Sequence, residues 1–277
     1  MKTAGIIGLG VMGGSFAARL KELGYRVYGF DPNSQSLKKA REKGWIDEGY
    51  ADFSKALSDC ELLIFCIYPS LLPEWIETWQ NRFAPGTLLL EISGVKQAIM
   101  EPVHKILRPD VELMSIHPMC GRESKGIDHA DPRIFDSANF ILIPDDSNTA
   151  SSIVKVSSLA KDLGCKNISV LTPAEHDSMI AFLSQLTHVI AVSLMDTHEN
   201  EHLVEYTGDS FRDLTRIASI NEDMWSELFL LNKDMLLDEI RQFRDSLDTF
   251  TRALEDEDTR TMKDMMILST QRRHKFD

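Results

Sequence analysis

The amino-acid sequence predicts an α/β fold in which an N-terminal doubly wound, mostly parallel sheet is followed by an all-helical domain. Three observations predict it. An apolar run opens directly into a glycine-rich turn at residues 4–15, and strand-like and helix-like segments then alternate as far as residue 171. From residue 174 to residue 275 there is no convincing strand pattern, and Gly208 is the only glycine. We therefore expect a sheet domain over residues 1–172 and a helical domain over residues 173–277.

The first motif reads Ala-Gly-Ile-Ile-Gly-Leu-Gly-Val-Met-Gly-Gly-Ser at residues 4–15. Its spacing is typical of a Rossmann-type dinucleotide-binding turn. The first glycine permits the tight turn, the second lets a pyrophosphate lie against bare backbone, and the third lets the helix pack close to the strand. The helix that follows directs its free N–H groups and positive dipole end at the phosphates. The expected cofactor-binding residues of this turn are Gly8, Gly10, Val11, Met12 and Gly13.

The second apolar run, Tyr25–Phe30, ends in Asp31, which lies eighteen residues after Gly13. At this position a carboxylate accepts a hydrogen bond from the ribose 2′-hydroxyl. A 2′-phosphate would be repelled there, and no Lys or Arg follows before Lys38. The sequence therefore favours NAD over NADP, the alternative being an ordinary solvated acid after a strand.

The remaining elements of the sheet domain follow from periodicity and punctuation. Strand patterns occupy residues 4–9, 25–31, 61–68, 87–92, 111–116, 139–143 and 168–171. Helical patterns occupy residues 12–23, 34–43, 71–82, 96–107 and 149–163. Gly24, Gly44 and Gly164 each follow a helical pattern, where a C-terminal cap requires positive φ. This alternation predicts helices on both faces of the sheet.

The helical domain has periodic patterns at residues 175–200, 222–255 and 258–272. Two of them carry long apolar stripes at three- and four-residue spacing. A domain of this size does not bury such wide stripes alone. We therefore expect a homodimer formed through this domain.

Composition excludes several classes of protein. With a net charge of −13 over 277 residues, the chain is not expected to bind nucleic acid or an anionic membrane surface in general. No uninterrupted apolar stretch approaches eighteen residues, so no membrane span is expected. The first strand pattern begins almost at Met1, so no signal peptide is expected. The four cysteines lack metal-site pairing, so we expect reduced thiols, no metal site and a cytoplasmic protein.

Candidate catalytic residues follow two neighbouring strand patterns, because ligands of such sheets bind beyond the carboxyl ends of the strands. Residues 93–96 read Ser-Gly-Val-Lys, and His117 ends the next strand, followed by Pro118. Histidine suits the removal of a hydroxyl proton, because its pKa lies near neutral pH. A strand-end histidine satisfied by the backbone is the alternative, and position alone leaves both open.

The helical domain supplies a second set of candidates. A His-Asp pair at residues 176–177 opens the first long helix, and His188 lies on nearly the same face. Arg216 is flanked by apolar residues, which favours a role in holding a carboxylate, whereas a surface role is favoured for Arg212. Trp225 is more typical of the core than of a substrate contact.

Together these segments resemble the prephenate/arogenate dehydrogenase family of tyrosine biosynthesis over nearly the whole chain. The resemblance rests on residues 8–15, 93–96, 117–123 (His-Pro-Met-Cys-Gly-Arg-Glu), 176–177, 184–188 (Ser-Gln-Leu-Thr-His), 211–218 (Phe-Arg-Asp-Leu-Thr-Arg-Ile-Ala) and 224–225. It implies an NAD-binding domain followed by a helical dimerisation domain. It also implies oxidative decarboxylation of prephenate to 4-hydroxyphenylpyruvate, or of arogenate to tyrosine.

The resemblance further implies residue roles. His117 takes the proton of the ring hydroxyl, and Arg216 clamps a substrate carboxylate. His188 lies in the substrate pocket, Glu123 lies on the loop that closes over it, and Trp225 becomes a possible pocket wall.

Two departures from the family pattern concern the site. Relatives commonly read Gly-Ser-Val-Lys, so the hydroxyl that assists the catalytic histidine is expected from Ser93, displaced by one residue, or is missing. Gln185 and Thr187 stand where many relatives have His and Pro. These changes bear on substrate preference more than on reaction class.

Three alternatives stay open at this stage. Arogenate differs from prephenate by an ammonium in place of a ketone, and the sequence places no acid to recognise it. A β-hydroxyacid-type dehydrogenase shares this domain plan and would use a lysine, for which Lys233 is the candidate. A dinucleotide sensor without catalytic activity is the third.

Overall fold

The computed structural model describes residues 2–122, 124–199 and 202–276. In these residues eight strands form one sheet in the order β3-β2-β1-β4-β5-β6-β7-β8. The strands are β1 (Thr3–Ile7), β2 (Arg26–Phe30), β3 (Glu48–Tyr50), β4 (Leu62–Phe65), β5 (Leu88–Glu91), β6 (Glu112–Pro118), β7 (Asn139–Ile143) and β8 (Asn167–Val170). All neighbouring pairs are parallel except β6 and β7. The predicted mostly parallel α/β sheet is confirmed.

Helices cover both faces of this sheet. They are α1 (Val11–Glu22), α2 (Ser34–Glu42), α3 (Leu71–Trp79), α4 (Gln97–Ile106) and α5 (Ala150–Asp162). Successive residues of a strand point to opposite faces, so Ile6 and Ile7 of β1 are buried in two different apolar clusters. This two-sided burial explains why the strands read as nearly continuous apolar runs.

Two features of the sheet differ from the sequence expectation. Strand β3 has only three residues, Glu48–Tyr50, and carries no apolar run that periodicity detects. Strand β7 runs antiparallel to β6 because the described residues of the connection between them form the 3-10 turns Ile127–His129 and Pro132–Phe135 and no crossover helix. The three predicted helix-end glycines do have positive φ, at 81° for Gly24, 69° for Gly44 and 100° for Gly164.

The second part of the chain is helical from Pro173 onward. Its helices are α6 (Pro173–Ile180), α7 (Thr187–Met195), α8 (Leu203–Tyr206), α9 (Asp209–Thr215), α10 (Glu222–Leu231), α11 (Lys233–Glu255) and α12 (Thr259–Arg273). A π-helical segment, Ala181–Leu186, joins α6 to α7, and 3-10 turns lie at Arg216–Ala218 and His274–Phe276.

The helix expected over residues 222–255 is interrupted at Asn232, between α10 and α11. The Asn232 side chain is buried and donates from Nδ2 to the Asp177 carbonyl at 2.9 Å and to Gln185 Oε1 at 2.8 Å. The apolar stripe continues across the interruption, so periodicity did not reveal it.

The continuous helix Pro173–Met195 differs from the expectation that no segment is apolar and long enough to span a membrane. By length and composition alone, this 23-residue helix is apolar enough to cross a membrane, because an 18-residue window of it has a mean hydropathy of 1.6. Only 28% of its apolar window is buried within a single chain. Large apolar side chains are also exposed on α11 and α12, among them Phe243, Leu247 and Met266. An amphipathic helical domain that pairs with a second chain exposes such surfaces in the monomer.

Candidate active site

The glycine turn between β1 and α1 has the shape that its spacing predicts. Gly8 has a φ of +88°, and its N–H donates to the Phe30 carbonyl at 2.8 Å. A Cβ on Gly13 would lie 1.8 Å from the Gly8 carbonyl oxygen, so a side chain there is sterically excluded. At Gly10 a Cβ would meet nothing within 4 Å. Bare backbone therefore faces open space at the N-terminus of α1, which begins at Val11 and continues through the half-buried Met12.

Asp31 lies beside this turn, at the end of β2. Its Oδ2 accepts from the Leu9 backbone N–H at 2.7 Å, and its Oδ1 accepts from the Asn33 backbone N–H at 2.7 Å. Each carboxylate oxygen keeps a second lone pair, and the side chain is only partly buried. Asp31 thus orders the glycine turn and retains acceptor capacity for a ribose hydroxyl.

His117 lies near the carboxyl end of β6 and belongs to a chain of three hydrogen-bonded side chains. Its Nδ1 is 2.8 Å from His176 Nε2. The Nδ1 of His176 is in turn 2.8 Å from Asp177 Oδ1. His176 is fully buried and Asp177 nearly so, whereas His117 is half-buried. Because His176 and Asp177 belong to α6, this chain links the sheet domain to the helical domain.

The direction of the hydrogen bonds assigns the tautomers in this chain. An ionised carboxylate only accepts, so His176 carries its proton on Nδ1. Its Nε2 then accepts, which places the Nδ1 proton on His117. In the neutral ring of His117, Nε2 is therefore left with a lone pair. The network presents His117 Nε2 as a proton acceptor.

Asp177 is held in place by the start of α4. Its Oδ1 accepts from the Lys96 backbone N–H at 2.8 Å, and its Oδ2 accepts from the Gln97 backbone N–H at 2.9 Å. A carboxylate at a helix N-terminus satisfies unpaired N–H groups and is stabilised by the helix dipole. The helical domain therefore caps a helix of the sheet domain with the same carboxylate that orients His176.

The electrostatic environment keeps both imidazoles neutral. The pKa of His117 lies well below its usual value of 6.5. The main cause is burial, and the nearby positive charge of Lys96 and the neighbouring His176 lower this pKa further. Burial also lowers the pKa of His176, although its hydrogen bond to Asp177 opposes that effect. Neutral His117 is the form that accepts a proton.

Ser93 does not occupy the place expected for it. Its Oγ lies within hydrogen-bond distance of Glu91 Oε2 and 2.7 Å from the Val95 carbonyl oxygen. In the described part of the chain, the side chain bonded to His117 Nδ1 is His176. Of the two expectations, that the assisting hydroxyl comes from Ser93 or is missing, these bonds favour the second, because Ser93 bonds to Glu91 and Val95 and the partner of His117 Nδ1 is His176. Sequence reasoning noted the adjacent His and Asp, but it had no signal for a contact between residues 59 positions apart.

His188 and Trp225 form a second part of the candidate site. Their ring centroids are 3.7 Å apart, and His188 Nδ1 lies 2.8 Å from the Ser184 carbonyl oxygen, to which it donates. Trp225 lies on α10, which packs against the carboxyl edge of the sheet. A Cβ on Gly94 would lie 3.3 Å from Leu228 of α10. The wall formed by His188 and Trp225 therefore lies on the side of the sheet where residues 93–96 and His117 are found.

Two predicted substrate-binding residues are placed less directly. Arg216 is exposed at the start of the 3-10 turn Arg216–Ala218, and this turn packs against α7, the helix that carries His188. The structure thus brings the segment of Arg216 to α7, whose second residue is His188, while convergence of Arg216 with His117 stays a prediction. Glu123 lies outside the described residues.

Comparison with known proteins identifies the family. The family model of the prephenate dehydrogenase nucleotide-binding domain matches residues 16–169, and the model of the prephenate dehydrogenase dimerization domain matches residues 172–268. The prephenate dehydrogenase of Bacillus subtilis (strain 168) is 26% identical over 265 residues, which cover 93% of this chain and 71% of that protein. The cyclohexadienyl dehydrogenase of Zymomonas mobilis is 24% identical over 265 residues, which cover 93% of this chain and 90% of that protein.

A solved structure agrees with these matches. The crystal structure of prephenate dehydrogenase from A. aeolicus, in complex with hydroxyphenyl propionate and NAD+, superposes with a TM-score of 0.91 at 26% identity. The superposition covers 100% of this chain and 99% of that chain. The motifs, the fold and both family models agree: the chain belongs to the prephenate dehydrogenase family of oxidoreductases.

Proposed function

We propose that this protein catalyses the NAD-dependent oxidative decarboxylation of prephenate to 4-hydroxyphenylpyruvate, a step of tyrosine biosynthesis in the cytoplasm. The observation that carries the proposal is the chain from Asp177 through His176 to His117, which fixes a proton acceptor near the carboxyl edge of the sheet. The B. subtilis and A. aeolicus relatives are both named prephenate dehydrogenase, which supports this substrate. The A. aeolicus structure contains NAD+, which supports this cofactor.

The residues at the glycine turn fit NAD. Gly10 offers uncovered backbone to the pyrophosphate, and Gly8 and Gly13 permit the turn that aims the N-terminus of α1 at it. Asp31 retains lone pairs for the ribose hydroxyls. NAD, when bound, supplies the acceptor for the hydride that leaves the carbinol carbon of the substrate.

The side chains of the protein perform three tasks. His117 Nε2 accepts the proton of the ring hydroxyl as that carbon is oxidised, and it returns the proton to the phenol oxygen after carbon dioxide has left. Arg216 holds a substrate carboxylate, and His188 and Trp225 line the pocket. No group of the protein attacks the substrate covalently, because the gain of aromaticity drives the loss of carbon dioxide.

A homodimer is part of the same proposal. The family model that matches residues 172–268 describes a dimerization domain, and exposed apolar side chains on α11 and α12 supply a surface for it. The β-hydroxyacid alternative is not retained, because the chain belongs to the prephenate dehydrogenase family and Lys233, the lysine of that alternative, is exposed at the start of α11.

One assay tests the function. Purified protein is incubated with prephenate or arogenate, each with NAD or NADP, and formation of the reduced cofactor is followed by absorbance. We expect the highest kcat/KM with prephenate and NAD. Turnover of arogenate but not of prephenate would replace prephenate with arogenate as the proposed substrate. Tight NAD binding without turnover of either compound would favour the sensor alternative.

Replacing Arg216 with alanine is expected to raise the KM for prephenate by about 10- to 100-fold, the value of a charge-assisted, bidentate hydrogen bond. The kcat should change much less, because the carboxylate is held in both the ground and transition states. Steady-state kinetics with varied prephenate measures both. The matched control is Arg212→Ala, an exposed arginine one turn earlier on α9, for which we expect an unaltered KM. A wild-type KM in Arg216→Ala would remove the proposed clamp.

Replacing Asp31 with asparagine is expected to raise the KM for NAD by about 10-fold, because a charge-assisted hydrogen bond to ribose is lost. The KM for NADP should fall, since the charge that repels a 2′-phosphate is removed. The control is Asp47→Asn, since Asp47 also accepts a backbone N–H, from Val27 at 2.7 Å, but lies away from the glycine turn. Equal cofactor constants in Asp31→Asn and wild-type protein would exclude Asp31 from cofactor selection.

A further inference from the structure

Beneath the site lies a buried ion pair that the mechanism above does not use. Lys96 is fully buried, Glu91 is 1% exposed, and Lys96 Nζ lies 2.7 Å from Glu91 Oε1. The free energy needed to remove two charges from water is about as large as, or larger than, the free energy of their attraction. Stability alone therefore does not explain why this pair is buried. Its position suggests what it does.

The hydrogen bonds fit a pair in which both partners are charged, although burial lowers the pKa of Lys96. Lys96 Nζ donates to Glu91 Oε1 at 2.7 Å, to the Ser93 carbonyl at 2.7 Å and to the Ile116 carbonyl at 2.9 Å. Three acceptors require three hydrogens, which an ammonium has and a neutral amine lacks. Glu91 accepts from the Ser93 backbone N–H, the Ser115 hydroxyl and Lys96 Nζ, which suits an ionised carboxylate.

The same bonds tie together the two strands that carry the site. Glu91 ends β5 and Ile116 lies on β6, directly before His117. The Lys96 side chain therefore joins the carboxyl ends of these strands. Its backbone N–H also donates to Asp177 Oδ1, so one residue contacts Asp177 at one end of the hydrogen-bonded chain and Ile116, the neighbour of His117 in sequence, near the other.

The charges around His117 can be assigned to individual groups. The segment between β5 and α4 contributes Lys96, paired with Glu91, and α6 contributes His176, which is hydrogen-bonded to Asp177. On the neighbouring strand β7, the residue paired with His117 is the apolar Ile141. The Lys96 charge lowers the pKa of both His117 and His176. A positive charge in this buried setting disfavours a second one nearby.

We propose that Lys96 is a positioning residue that acts on His117, and this inference rests on the proposed function. It fastens the ends of β5 and β6, and its fixed positive charge keeps the His117 imidazole in the neutral, proton-accepting form. Glu91 is its counterion and holds it in register. This assigns a role to the lysine of the Ser-Gly-Val-Lys segment, which touches neither substrate nor cofactor in this proposal.

The test replaces both charges at once, as Lys96→Met with Glu91→Gln, so that no unpaired charge is buried. Protein labelled with ¹⁵N-histidine is titrated by NMR without substrate, and the His117 signal is assigned from its loss in His117→Asn. We expect the midpoint of the His117 titration to rise, because the Lys96 charge that is removed lowers the pKa of His117, whereas Glu91 does not contribute to that shift. The acidic limb of the kcat/KM profile should move upward by the same amount.

Ser115→Ala is the matched control, because it removes one hydrogen bond to Glu91 and leaves both charges in place. Its His117 midpoint should equal that of the wild type, which separates charge from loosening of the network. If the double variant does not fold, Lys96→Gln combined with Glu91→Gln, which keeps hydrogen-bond donors without either charge, gives the same comparison. An unmoved midpoint in a folded variant that lacks the Lys96 charge would overturn the inference.

The two proposals fail separately. The NMR titration needs no substrate, so it tests the role of Lys96 even if prephenate is not turned over. Absence of turnover in the wild-type protein would overturn the proposed function and leave the comparison of midpoints intact.

Discussion

Replacing His117 with asparagine is expected to lower kcat with prephenate and NAD by about 10²- to 10⁴-fold, the contribution of a general base. The asparagine amide preserves a donor toward His176 but has no basic nitrogen at the position of Nε2. The affinity for NAD should stay unchanged, since the glycine turn and Asp31 are untouched. Steady-state kinetics and an equilibrium NAD titration measure these two quantities.

The pH dependence gives the same substitution a second readout. Because only neutral His117 accepts a proton and its pKa is lowered below 6.5, wild-type kcat/KM should be full at neutral pH and fall only as the pH drops through that lowered pKa. In His117→Asn this acidic limb should disappear. His129→Asn is the control, since His129 is exposed in a 3-10 turn of the same sheet domain. Wild-type turnover in His117→Asn would reject its catalytic assignment.

Replacing Asp177 with asparagine is expected to lower kcat by about 10²- to 10⁴-fold, the order of loss seen when an imidazole base is held in the wrong tautomer. An Asn amide can accept only at its oxygen, because its nitrogen only donates, whereas Asp177 accepts at both oxygens. If the amide donates to His176 Nδ1, His176 moves its proton to Nε2 and donates to His117. His117 then carries its own proton on Nε2 and no longer accepts one there.

Asp177 also caps α4, so its two roles must be separated. Loss of a helix cap costs about 1 kcal/mol. The matched control is Thr149→Ala, because Thr149 caps α5 in the same domain by accepting from the Ser152 N–H at 3.2 Å. Both variants should lose a similar amount of thermal stability, while only Asp177→Asn should lose kcat. Equal kcat in the two variants would reduce Asp177 to a helix cap.

The parts of the site that are local in sequence were predictable. Gly8, Gly10, Gly13 and Asp31 lie within one strand-helix-strand unit, and their spacing alone specifies a turn whose backbone the structure reproduces. Features that depend on pairing were missed. The antiparallel direction of β7 and the interruption at Asn232 follow from contacts with other elements, for which periodicity has no signal.

The sequence by itself determined the fold class, the family and the position of His117 near the end of a strand. Only the tertiary structure decided which proton His117 carries, because its tautomer is set by His176 and Asp177 of another domain. It also decided that Lys96 is a buried ammonium, since its three acceptors and the Asp177 carboxylate that its N–H meets are brought together by folding. The chemical identity of a side chain is local, but its protonation state depends on neighbours up to 81 positions away.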